Sequence, residues 1–99
     1  MLIQREKDIP YVVVLKMTTN EEVVATIISE DMNTMTVLQP LVMVGVGYEF
    51  EFSPYVVMSN FEKPVVIFKR AMIAKTYPGP EALESYKKVV QSMVKMKKP

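Results

Sequence analysis

Hydrophobic and polar positions alternate most clearly over residues 21–38, EEVVATIISEDMNTMTVL. Val23, Ala25 and Ile27 alternate with Val24, Thr26 and Ile28, which predicts a strand covered on one face and partly covered on the other. Residues 29–34, SEDMNT, supply turn chemistry, since Asp and Asn bond their own backbone and tolerate left-handed dihedrals. From Met35 to Val44 the extended pattern resumes. Residues 11–17, YVVVLKM, are β-branched and predict a buried strand, followed by a turn at 18–21 with Asn20 in its left-handed position. Pro40 predicts an edge, a bulge or a strand end, and Gly45 with Gly47 permits a sharp bend. Residues 48–52, YEFEF, alternate aromatic with acidic and predict a half-buried strand with one wet face. Pro54 breaks or kinks it before residues 55–58 continue. After a turn at 60–64, NFEKP, residues 65–77 are long enough to bend through two short strands.

The period then changes. Residues 77–80, YPGP, form the clearest boundary, and Pro80 suits the first position of a helix. Leu83, Tyr86, Val90, Met93 and Val94 fall on one helical stripe. Glu81 and Glu84 sit near the start, and Lys95, Lys97 and Lys98 near the end, each favourable to the helix dipole. The expected organisation is an N-terminal extension at 1–10, a five-stranded antiparallel β-barrel at 11–78, and a C-terminal helix with a basic tail at 79–99. The fold class is mainly β, and the helix is expected to cover the open end of its own barrel or of a neighbouring one.

Ninety-nine residues at 49% hydrophobic and 23% charged make one globular domain with a small core, so burial between subunits would help it. Twelve basic residues against 11 acidic ones leave a net charge of +1, which selects no partner by itself. Cysteine and histidine are both absent, which removes disulfides, thiolate nucleophiles, histidine bases and the usual zinc sites. No nucleophile has a base at a recognisable spacing, and no glycine loop suits a phosphate. Neither catalysis nor a cofactor or metal is expected. Residues 1–10 lack the apolar core of a signal peptide, and no window reaches the roughly 18 apolar residues of a membrane span. A cytoplasmic protein without a membrane partner is the expectation.

The frame resembles the Sm-like (LSm) family. The first family motif places a turn glycine at Asn20, hydrophobic residues at Val23 and Ile27, a second glycine at Ala25, an aspartate at Asp31 and an apolar tail at Val37 and Leu38. Its Met-Asn pair falls on Thr34 and Met35, while an actual Met-Asn pair, Met32 and Asn33, lies two residues earlier. The second motif falls on residues 68–73, FKRAMI, with Lys69 at the arginine and Arg70 at the glycine; sliding by one exchanges these for Arg70 and Ala71. The resemblance covers residues 11–78, and the run SEDMNTMTVLQPL looks like small Sm-like proteins encoded by phages. In that subtype the cytoplasm would be the host's.

The resemblance implies a strongly bent barrel of the SH3 type, a homo-oligomeric ring, and single-stranded RNA as partner. The RNA-binding candidates are Asp31, Asn33, Met35, Lys69 and Arg70. Asn33 would read a base edge, Met35 would pack on its face, Asp31 would orient the loop, and the two cations would stack or meet phosphate. The same residue types also have a plain structural account as turn formers and a solvated turn. Open strand edges invite association. Tyr55, Val56, Val57 and Met58 are the expected edge on one subunit, to pair with Ile73, Ala74, Lys75 and Thr76 on the next. A structural or assembly protein without nucleic acid is the alternative, and a module accepting a peptide at a sheet edge is a third reading.

Overall fold

Two-residue alternation within residues 11–30 becomes two covered faces of one sheet. The computed structural model describes residues 11–46, 49–56 and 61–97. The extension at 1–10, and with it Tyr48, Val57 and Met58, lies outside the described residues. Strands β1 (Tyr11–Met17), β2 (Glu22–Glu30), β3 (Thr34–Val46), β4 (Glu49–Pro54), β5 (Val65–Phe68) and β6 (Met72–Thr76) are followed by helix α1 (Pro80–Lys97). All pairings are antiparallel, in the order β4-β3-β2-β1-β6, with β5 also on β3. The protein is thus mainly β, with six strands and one C-terminal helix among the described residues.

A 3-10 turn, Lys69–Ala71, divides the segment 65–77 into the two short strands expected there, and the described strands number six where five were expected. That turn carries the chain from one end of the sheet to the other. β5 and β6 are therefore joined by a covalent link rather than by paired backbone, and among the described residues the ladder does not close into a barrel. The turn between β1 and β2 has Asn20 at φ 79°, the left-handed geometry predicted for it. The strand expected at 55–58 is not formed at its described end. β4 stops at Pro54, which has no N–H to donate, and Tyr55 and Val56 form a bend.

On the inner face Val13, Leu15, Met17, Val23, Ala25, Ile27, Met35, Val37 and Ile67 make one buried cluster. The opposite face of the same strands contributes Val12, Val14 and Val24, joined by Leu41 and Phe52. Helix α1 covers that second face with Tyr86, Val89, Val90 and Met93. Continuous apolar runs in β1 and β2 follow from this double coverage. The helix lies across a face of the sheet through these contacts, where the sequence pointed to an open end.

The bend in β3 positions everything else. Along one edge, residues 34–37 pair with β5 and residues 41–46 pair with β4. Between them Gln39 turns left-handed at φ 48°, and the register against β2 slips from Val24↔Leu41 to Thr26↔Leu38. One extra residue in β3 makes a bulge at Gln39 and Pro40, and bulges kink and twist a strand. A second slip, from Ile27↔Val37 to Ser29↔Thr36, puts one extra residue in β2. The carbonyls at the bend are met from outside the sheet. Tyr86 Oη donates to Gln39 O at 3.0 Å and approaches Leu38 O at 3.4 Å, while Thr26 Oγ1 lies 3.0 Å from the same phenol oxygen. Tyr55 N–H donates to Pro40 O at 2.9 Å. Burial pushes the Tyr86 hydroxyl above its usual pKa, so it remains a donor across ordinary pH.

Removing only the hydroxyl, with Tyr86→Phe, is expected to cost about 1 kcal/mol and lower Tm by several degrees. Tyr86→Ala also empties the space beside Phe52, whose ring meets Tyr86 edge-on at 6.4 Å, and is expected to cost about 3–5 kcal/mol. Thermal melts of the two variants beside the parent chain check both values. Equal melting temperatures would mean that α1 contributes nothing to holding the bend.

Candidate nucleic-acid interface

Two turns distant in sequence meet at one end of the sheet. The β2–β3 connection opens after the pair Glu30↔Met35, and Asp31 N–H donates to Thr34 O at 2.9 Å. Asp31 organises the turn through its carboxylate. Oδ1 accepts from the N–H of Asn33 at 2.8 Å and of Thr34 at 2.7 Å, and the Thr34 hydroxyl lies 3.1 Å from both carboxylate oxygens. The backbone N–H of Thr34, then that of Asn33, favour the charged form and hold the Asp31 pKa below its usual value. An aspartate followed by Asn and Thr can satisfy a tight loop internally in this way.

The second turn is Lys69–Ala71. Its Lys69 N–H donates to Asn33 O at 2.8 Å, extending the β3–β5 ladder past Thr34↔Phe68 into the loops. Ala71 O accepts from Thr18 N–H at 2.8 Å, and Ala71 and Met72 pack against the inner core. The turn is thus anchored on both sides, with Lys69 and Arg70 at its apex. Met32, Asn33, Phe68, Lys69 and Arg70 line an open depression of about 540 Å³. The Arg70 guanidinium lies 5.6 Å from the centroid of the Phe68 ring, which is 54% exposed.

Charge at the rim is mixed. Lys69 Nζ lies 2.8 Å from Glu30 Oε2, and Lys75 Nζ lies 3.6 Å from Glu30 Oε1. The Lys69 hydrogen bond lowers the Glu30 pKa, with Lys75 adding to it against the opposing effect of burial.

Of the five RNA candidates, Asn33, Lys69 and Arg70 come together around the depression. Asp31 stands behind them as the residue that shapes the loop. Met35 does not join them: its side chain is 1% exposed and belongs to the inner core, because β3 has begun and that position points inward. Met32, 88% exposed, is the methionine at the rim. Sequence reasoning gave no ligand role to Met32 or Phe68. The signal for Phe68 was its place before two cations, and for Met32 its place inside a turn too short to bury it. Ile73 is 65% exposed, so its apolar character does not report core packing.

The candidate interface residues divide. Ile73, Ala74, Lys75 and Thr76 form most of β6, which pairs with β1 on one side and, among the described residues, with no strand on the other. Tyr55 instead turns toward the inner core. Val56 is partly exposed in the bend, and Val57 and Met58 lie outside the described residues. Among the described residues there is no cluster of three or more potential metal-ligating side chains, and no helix is long and apolar enough to cross a membrane.

No protein-family model matches the chain, and no curated protein matches it in sequence.

A pH dependence follows from the two carboxylates. Their folded pKa values lie below their unfolded ones, so their stabilising contribution is full above the ordinary carboxylate range, roughly pH 4–4.5, and is lost as pH falls through the folded values. Stability measured by denaturant titration from pH 6 downward should therefore fall more steeply for the parent chain than for Glu30→Gln with Asp31→Asn. Parallel curves would show that neither carboxylate is held by these contacts.

Proposed function

We propose that this chain is an Sm-like protein that assembles into a homo-oligomeric ring and binds single-stranded RNA at the depression between its two turns. The observation that carries the reading is the Lys69 N–H bond to Asn33 O at 2.8 Å. It brings a side-chain amide, an exposed aromatic ring and two cations to one opening. An amide reads base edges, a ring and a guanidinium stack on base faces, and cations neutralise phosphate. The bulged bend fits a strongly bent barrel, with β6 as an edge open to a neighbouring subunit. Exposed Val66 on β5 and Ile73 on β6 give those strands apolar surface for a neighbour to cover. The cytoplasm, the host's for a phage-encoded chain, is the corresponding location.

One observation favours the alternative, an oligomeric assembly protein without nucleic acid. The cation closest to the β2–β3 turn, Lys69, already has an anion at 2.8 Å. The two readings share the ring and differ at the depression.

Native mass spectrometry should give a closed oligomer, and Ile73→Glu on the exposed edge should shift it to smaller species. Fluorescence anisotropy with short oligo-U and oligo-A at several salt concentrations should show binding. Arg70→Ala should weaken it and lower the salt slope by about 0.7 for each phosphate no longer neutralised. Asn33→Ala should change the preference between the two oligomers. A monomer would remove the ring, and an intact ring that binds neither oligomer at low salt would favour the assembly reading.

A further inference from the structure

Glu30 holds Lys69 from outside the depression. Its backbone is fixed by pairing with Met35 at the end of β2. Its two oxygens are divided between Lys69 at 2.8 Å and Lys75 at 3.6 Å. The Lys69 and Glu30 side chains are only 29% and 26% exposed, so their attraction is less screened than that of a fully solvated pair. Lys69 also lines the depression, whereas Glu30 does not. One cation of the site is thus tied from behind by an anion outside it. Arg70 has a different neighbour, the ring of Phe68, a contact that brings no opposite charge to it.

We propose, on the reading of the depression as an RNA site, that Glu30 is an internal competitor for Lys69 that restrains phosphate binding. The ligand is then taken mainly through a base face against Phe68, Arg70 and Met32, with Asn33 at the base edge. Lys69 engages phosphate only when its bond to Glu30 opens. The consequence is a site whose affinity depends less on ionic strength than two cations per subunit would give, and whose selectivity rests on the base. A bare polyanion is therefore a poor ligand for it. Glu30 touches no ligand in this arrangement; it acts through Lys69.

Glu30→Gln retains the side chain's shape and removes its charge. It should tighten oligo-U or oligo-A binding on the order of two- to fivefold at low salt, the range expected from freeing one modest ion pair. It should also steepen the salt slope by about 0.7 per subunit in contact with the strand. Lys69→Ala should cancel the whole gain when it is combined with Glu30→Gln. Glu84→Gln on α1 removes the same charge elsewhere and should leave the slope unchanged; an equal gain from it would mean net charge alone is at work and overturn the proposal. Circular dichroism and melting curves establish that each variant is folded. Binding by the parent chain with an unaltered slope in Glu30→Gln overturns the competitor and leaves the RNA reading standing. Binding by Glu30→Gln alone supports the competitor. Absence of binding by both overturns the two together.

Discussion

The fold depends on β3 serving two partners along one edge. A straight strand of 13 residues would present one flat edge, and β4 and β5 would have to lie in line along it. The left-handed Gln39 and the bulge at Pro40 break that line, so the two partners approach from different directions. The break leaves backbone carbonyls where neither partner reaches. Buried carbonyls without donors are costly, and the Tyr86 hydroxyl meets them. Curvature and helix docking are consequently one interaction seen from two sides. The helix covers Val24 and Leu41 through its apolar stripe and holds the bend through one phenol.

Curvature also brings the ends of the sheet to the same place. Residues 34–37 of β3 carry β5, β5 leads into the 3-10 turn, and that turn rests on Asn33 and Thr18. Thr18 belongs to the β1–β2 turn and Asn33 to the β2–β3 turn, so three connections are tied by backbone hydrogen bonds. Side chains projecting from such a junction are held by the scaffold rather than by each other. Asp31 uses its carboxylate entirely on local N–H groups and a hydroxyl, which leaves Asn33 and Met32 outward. Order in the loop and openness of the depression arise from the same aspartate.

Much of this was legible in the residues themselves. Alternation marked β1, β2 and β3, Asn20 marked its own left-handed turn, and Pro80 with the Leu83-to-Met93 stripe marked α1. Pro40 left an edge, a bulge and a strand end equally open, because nothing local distinguishes them. Gln39 gave no warning, since glutamine has no special preference for positive φ and is held there by Tyr86 and the β2 register. Met35 was misplaced for a related reason. Whether a residue at the foot of a hairpin points inward depends on how many residues the loop consumes, and Asp31 shortens that loop by bonding Asn33 and Thr34. The junction of the two turns was visible only through the family resemblance, because Asn33 and Lys69 are too far apart in the chain to leave a periodic trace. The Glu30 bond to Lys69, 39 positions away, left none either.

Tyr86 reaches its three oxygen partners across separations of 47, 48 and 60 residues. Every strand of the sheet precedes it in the chain. During synthesis from the N-terminus the strands therefore emerge first, with the carbonyls of Leu38 and Gln39 open to water and the faces of Val24 and Leu41 uncovered. The hairpins can pair before α1 is made, but their curvature is not secured until Tyr86 has left the ribosome. A chain interrupted between β6 and α1 would carry all the hydrogen-bonding ladders of the fold and still present an apolar sheet face to other nascent chains. The helix is what covers that face of the paired strands.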